Sequence, residues 1–398
     1  MTSDPYVPAF DELVGDTAHF LEHEYQRNAY LHQDGLRGDP SRVLSVAELD
    51  DLLTLRTVGS EYLRIVKGGK DEPESAYARS YTEFGPPLNN VIQRDEAYRR
   101  FHDGSTLVWG YIDRYHAGLH RFTESLRRRL NTTVATTAFL TPAGQQGFDL
   151  HCDLADVFVV QLSGTKRWYL WDRRPDARPK RESFRSEDLG KPALEVALRP
   201  GDVLYMPYNT PHAAVAEDSM SLHLSVIVQP RSWSELLLQA ARKLLQEDEF
   251  AGALYLEGSR QEELADQFAQ RLGRLATRLR ELEVAEPIQR LLAQGGGPDS
   301  VKTLEQARRE EHVDTTTEVE RTDLSLVFGE PEDGVVKATV SGTSVIAVPE
   351  PLAEGLARLT PGDRSSVSGL FPGVHLDDAV DAARVLMKLG LLREVPPG

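Results

Sequence analysis

A single cysteine, Cys152, occurs in the 398 residues. One thiol excludes an intramolecular disulfide and any structural zinc site built on a set of thiolates, and so thiol-poor a chain fits a reducing, cytoplasmic setting. Long apolar runs are also missing. The N-terminal MTSDPYVPAFDELVGD has neither a basic start nor an apolar core, and no uninterrupted apolar segment of membrane-spanning length follows, so the sequence predicts neither export nor membrane insertion. Positive charge is in deficit as well: 45 Lys plus Arg stand against 62 Asp plus Glu, a formal net charge of -17. That balance disfavours a nucleic-acid backbone as partner and favours a basic protein or peptide. What remains, 40% hydrophobic and 27% charged residues, is the composition of a globular protein rather than a disordered or fibrous one.

Three textures follow one another along the chain. From about Phe10 to Leu130 the spacing is mostly helical with a few strands; VAELDDLLTL between Ser45 and Leu55 has the helical period, and an apolar patch TLVWGYI lies further on. From Thr132 to Pro230 seven short β-branched and aromatic runs alternate with Gly- and Pro-containing turns: TTVATTAFL, DVFVVQL, KRWYLW, LEVAL, DVLYMP, HAAVA and SLHLSVIVQ. They predict an all-β barrel or sandwich. Beyond Pro230 the helical period returns. Ser232 with Glu235 and Ser259 with Glu262 fit capping boxes, and Leu264, Phe268, Leu272, Leu275, Leu279 and Leu282 form one apolar stripe, suited to an intramolecular bundle or to a homodimer interface. After a linker, AQGGGPDS, residues Val313 to Gly398 read as a small winged-helix-like module. Its 14 acidic and 7 basic residues leave a net -7, the wrong sign for reading DNA. The expected organisation is an α+β chain with a barrel domain over 1–230, a helical connector over 231–312 and a terminal module over 313–398.

The chemistry-bearing residues gather in the β-rich part. An H-x-D triplet occurs four times, at His32/Asp34, His151/Asp153, His312/Asp314 and His375/Asp377. Residues i and i+2 of a strand share a face, so His151 and Asp153 can aim at one metal while Cys152 turns away. Only this pair borders β-runs and precedes a strand-borne histidine, His212. Of the others, the first sits among turns, the second in a charged run, and Asp377 reads as a helix N-cap. Two histidines and one carboxylate are the ligands of the facial triad that holds non-haem Fe(II) and leaves positions open. Lys166, fifteen residues after His151 in GTKRWYLW, can meet the distal carboxylate of a chelating 2-oxo acid; without such a triad it would read as a solvent-facing lysine after a turn. Downstream, SLHLSVIV places His223 and Ser225 on one strand face. Ser225 can donate to the same carboxylate, and His223 reads as a packing residue or a fourth ligand.

The run AFLTPAGQQGFDLHCDLADVFVVQLSGTKRWYLW, with LRPGDVLYMPYNTPHAA and SLHLSV, resembles the cupin-type JmjC oxygenases of the ribosomal oxygenase family. There an H-x-D-x-x-D-V-F strand is followed by a Gly-x-Lys/Arg-x-Trp strand. Upstream, LRIVKGGK and DGSTLVWGYIDRY resemble the family's N-terminal portion. The resemblance implies a double-stranded β-helix, or jelly-roll, barrel. It implies Fe(II) held by His151, Asp153 and His212, 2-oxoglutarate held by Lys166 with Ser225 as a second contact, and O2 as oxidant. It further implies hydroxylation of a protein side chain, with a ribosomal protein as the expected substrate. Asp156 falls inside the motif and is expected to be structural or substrate-facing. The competing readings are a hydroxylase of a peptide or small natural product, a lysine demethylase, and, in a different class, a metal-binding scaffold without catalysis.

Overall fold

The computed structural model describes residues 6–251, 261–282 and 308–395, apart from positions 56, 175–177, 180, 310, 323, 325 and 341–343. The chain divides into two compact units, residues 1–230 and 231–398. In the first, helices α1 (Val46–Leu55), α2 (Arg94–His102) and α3 (Ala117–Leu130) accompany strands β1 (Tyr30–His32), β2 (Leu63–Lys67), β3 (Lys70–Asp71), β4 (Thr106–Trp109) and β5 (Val134–Thr141). The β-rich stretch continues with β6 (His151–Cys152), β7 (Asp156–Ser163), β8 (Lys166–Leu170), β9 (Glu182–Ser183), β10 (Leu194–Leu198), β11 (Val203–Met206), β12 (His212–Ala216) and β13 (Ser221–Val228). All seven predicted runs are strands.

They form two antiparallel sheets: a large one in the order β1-β11-β7-β13-β5-β4-β2-β3 and a smaller one in the order β9-β6-β12-β8-β10. Val157, Val159, Leu204 and Met206 of the large sheet pack with Trp168, Leu170, Leu198 and Ala214 of the small one, so the sheets face each other across one core. This is the jelly-roll barrel, in an α+β chain. The period-two alternation decides which residues see that interior. On β7, Phe158, Val160 and Leu162 instead join the core under the N-terminal helices, as do Leu222, Leu224, Val226 and Val228 of β13. The intervening His223, Ser225 and Ile227 line the barrel cavity.

The few strands expected among the helices of the first third include two that continue the large sheet. LRIVK and TLVW are β2 and β4, which extend the large sheet. Runs of four or five apolar residues are too short to display a period, and burial by neighbouring strands decides their conformation.

In the second unit, α4 (Trp233–Leu244) and α5 (Gln261–Glu281) precede a module with its own core around Val319, Leu356, Phe371, Ala383 and Met387. Ser232 Oγ accepts the Glu235 amide at 3.2 Å, but the Glu235 carboxylate takes Arg231, at 2.6 Å, so only half of the predicted capping box is made. Ser259 and the segment 293–300 lie outside the described residues. Along α5, Phe268 and Leu272 are 68% and 54% exposed. The last helix, α6 (Leu376–Lys388), has His375 at its N-cap position without a side-chain capping hydrogen bond, and Asp377 inside its first turn. The expectation of Asp377 as N-cap is therefore corrected by two positions; an acidic residue is favoured in the first turn as well, because it faces the helix's free amides. No helix among the described residues is long and apolar enough to cross a membrane.

Candidate metal centre and adjoining cavity

His151 on β6 lies directly opposite His212 on β12 in the antiparallel register. Asp153 follows at the end of β6, and one ligand atom from each of the three residues falls within 4.8 Å of the others. Asp153 Oδ1 is 3.6 Å from His151 Nε2 and Oδ2 is 3.7 Å from His212 Nε2. The outer ring nitrogens fix the tautomers. His151 Nδ1 is 2.6 Å from the Asp149 carbonyl and His212 Nδ1 is 3.0 Å from the Thr210 carbonyl. A carbonyl only accepts, so each Nδ1 carries the proton and each Nε2 presents its lone pair to the common point. Burial lowers the pKa of His212, an effect that Asp153 opposes, and this favours the neutral, metal-binding form. Two unprotonated imidazole nitrogens and a carboxylate on one side of an open cavity fit a divalent first-row metal such as Fe(II).

None of the other three H-x-D pairs gathers a third ligand among the described residues. His32 meets the Glu12 carbonyl, Asp314 accepts from Thr316 and Thr317, and the His375–Asp377 pair is exposed. Cys152 is buried and its thiol is pushed up by that burial, the opposite of what a thiolate nucleophile needs.

The triad opens on a cavity of about 420 Å³ whose lining includes Lys166, Ser225, His223 and Phe139. Lys166 reaches it because the β7–β8 turn is tight. Gly164 has φ +65°, and a Cβ there would run into the Met220 carbonyl, so only glycine fits. On β8, Lys166, Trp168 and Leu170 then point inward while Arg167 pairs outside with Glu195 and Glu217. Lys166 is 2% exposed, and Nζ donates to Thr141 Oγ1 at 3.0 Å. Its partner is this hydroxyl rather than a carboxylate among the described residues, and burial pulls its ammonium down to about 7. His223 stacks on Phe139 with centroids 4.8 Å apart and 4° between planes. It is not among the gathered ligand atoms, and burial together with Lys166 and His212 holds it neutral. The packing reading of His223 thus accounts for its position better than a fourth ligand.

Sequence reasoning missed Thr141, which meets Lys166 from the opposite sheet, and the cavity-lining Arg64, Tyr111 and Arg181. Arg64 lies over the Phe148 ring at 5.4 Å and pairs with Asp71, and Arg181 is exposed. Tyr111 holds a left-handed φ of 51°, a strained conformation for an aromatic residue.

Residues 114–236 match the JmjC domain. That stretch of the chain is a JmjC domain. The chain is 29% identical over 227 residues to the bifunctional lysine-specific demethylase and histidyl-hydroxylase NO66 of Culex quinquefasciatus, an overlap of 55% of this chain and 33% of that protein. It is 32% identical over 222 residues to ribosomal oxygenase 2 of Rattus norvegicus, covering 52% and 45%. The chain thus spans less than half the length of these curated relatives. The structure of YcfD, a ribosomal oxygenase from Escherichia coli, in complex with cobalt and 2-oxoglutarate shares the fold, with a TM-score of 0.53, 17% identity, and coverage of 96% of this chain and 98% of that one.

Proposed function

We propose that this protein is an Fe(II)/2-oxoglutarate-dependent oxygenase that hydroxylates a protein side chain, with a ribosomal protein as substrate. One observation carries the reading: the three convergent ligand atoms share a cavity with a buried lysine that lacks a carboxylate partner among the described residues. His151, Asp153 and His212 would hold the metal. Lys166 would hold the distal carboxylate of 2-oxoglutarate, with Ser225 as a second donor. Fe(II) bound there, with 2-oxoglutarate and O2, supplies the oxidation: one oxygen atom enters a substrate C–H bond and the other enters succinate as CO2 leaves.

The chain's own residues supply the rest. The Asp149 and Thr210 carbonyls keep both imidazoles in the metal-binding tautomer. Trp168 and the Phe139–His223 stack exclude water beside Lys166, which strengthens a charge pair there. The net charge of -17 attracts a basic protein, whereas the cavity itself is lined by Arg64 and Arg181. A side chain entering past two guanidiniums is better neutral than cationic, which favours hydroxylation of an uncharged residue over demethylation of a methyl-lysine. The named activities of the similar NO66 proteins and the 2-oxoglutarate complex of YcfD support the reading. The terminal module would serve protein contacts, and the exposed apolar residues of α5 would pair two copies.

Intact-mass analysis of ribosomal proteins from cells with and without this gene tests the substrate class. A shift of about +16 Da on one protein, present only with the gene, is expected. If ribosomal proteins are unshifted while a small molecule or unrelated peptide is oxidised, the substrate assignment is wrong.

A further inference from the structure

Asp156 is the second acidic position of the H-x-D-x-x-D motif and is 0% exposed, yet it lies outside the ligand set. Burial pushes its carboxyl up to about 6, against the pull of the Tyr208 amide, Gln26 and Arg173. A buried carboxylate is costly and persists where donors hold it. Tyr208 N–H donates to Oδ1 at 2.9 Å and Gln26 Nε2 to Oδ2 at 3.3 Å. The adjacent amide of the same loop, Asn209 N–H, donates to the backbone carbonyl of Asp153 at 3.1 Å. Residues 153 and 156 therefore grip two consecutive amides of the Pro207–Pro211 loop. One residue further on, the Thr210 carbonyl fixes the Nδ1 of His212.

Other groups lock this junction from outside. Asn209 takes a left-handed φ of 63° between the two gripped amides and the Thr210 carbonyl. Arg173 donates to the Tyr208 carbonyl and to the Gln26 carbonyl, both at 2.9 Å, and lies 4.1 Å over the Tyr208 ring. Gln26 itself has φ 58°, and its amide donates to Tyr205 Oη at 2.8 Å.

We infer that Asp156, braced by Gln26 and Arg173, is the positioning residue that sets the loop delivering His212 against Asp153. The three-residue spacing between the two aspartates then has a reason: it lets one short segment hold both amides of the loop that brings in the last ligand. The inference rests on the metal reading proposed above. Partners of a metal ligand that act at one remove change metal affinity by about 10- to 100-fold when lost.

The test is Co(II) binding to the full chain, read by visible absorption, with thermal unfolding of the metal-free protein as a control for folding. Asp156→Leu should weaken Co(II) binding about 10- to 100-fold and alter the band shape at saturation. Asp156→Asn keeps an acceptor for the Tyr208 amide and should stay within about threefold of wild type. Should Asp156→Leu fail to fold, Gln26→Ala removes one brace and should weaken Co(II) binding by a few-fold at an unchanged band shape. A folded Asp156→Leu or Gln26→Ala protein with wild-type affinity and spectrum would overturn the positioning role, as would equal losses in the Asn and Leu variants. A wild-type protein that takes up no Co(II) would overturn the metal reading itself, and this inference with it.

Discussion

Lys166 offers a quantitative test, because its ammonium is buried without a counter-ion among the described residues and titrates at about 7. In the free protein it is charged at pH 6 and largely neutral by pH 8. A carboxylate placed beside it stabilises the charged form, so 2-oxoglutarate binding must carry a proton onto Lys166 above pH 7. The sign follows directly: affinity is flat on the acid side and falls as pH rises through 7. Between pH 6.5 and 8.5 the apparent Kd should rise about 25-fold, or about 1.9 kcal/mol, with close to one proton taken up per ligand at the upper end. Calorimetry on the Mn(II)-loaded protein, repeated in two buffers of different ionisation enthalpy, measures both quantities. Lys166→Arg keeps its charge throughout and should flatten the profile. A Kd independent of pH in wild type, or an equal slope in the arginine variant, would refute the assignment of Lys166.

The same buried charge predicts a stability effect. Its folded pKa lies below the ordinary lysine value, so the cost of burying it is full below pH 7 and fades towards pH 10.5. Lys166→Met should therefore raise Tm more at pH 6.5 than at pH 9, and the reverse order would contradict the burial argument. Gly164→Ala forces a side chain against the Met220 carbonyl at a positive φ. It should cost about 2–3 kcal/mol and lower Tm by roughly 4–10 °C in a calorimetric scan, and an unchanged Tm would show that the turn relaxes freely. Exchanging Phe268 and Leu272 for glutamate should convert a dimer to a monomer in size-exclusion chromatography. A folded double variant eluting where wild type does would dismiss the interface.

The triad was legible because strand periodicity is rigid: His151 and Asp153 must share a face, and a turn followed by a strand must deliver His212 nearby. Lys166 was legible for the same reason, being an inward position of the next strand. Its partner Thr141 was not, since the two meet only where opposite sheets face each other, a closeness that no sequence spacing encodes. Asp156 stood out as a motif member without a task. Its task depends on the amides of Tyr208 and Asn209, which become neighbours only once β7 pairs with β11. Arg64 and Arg181 come from distant segments, so the total charge of -17 gave no hint that the cavity is locally cationic. The strands β2 and β4 were obscured by their shortness, and the start of the last helix by the acceptability of aspartate both at the cap and in the first turn.

The central claim is that His151, Asp153 and His212 hold Fe(II) beside a 2-oxoglutarate bound by Lys166, and an anaerobic absorption titration tests it most directly. Adding Fe(II) and then 2-oxoglutarate to the purified chain should produce a weak visible charge-transfer band. His151→Ala and Asp153→Ala should abolish it, with metal affinity reduced more than about 100-fold, and Lys166→Ala should shift its appearance to higher 2-oxoglutarate. The absence of any band in folded wild-type protein, or its persistence in both triad variants, would contradict the account.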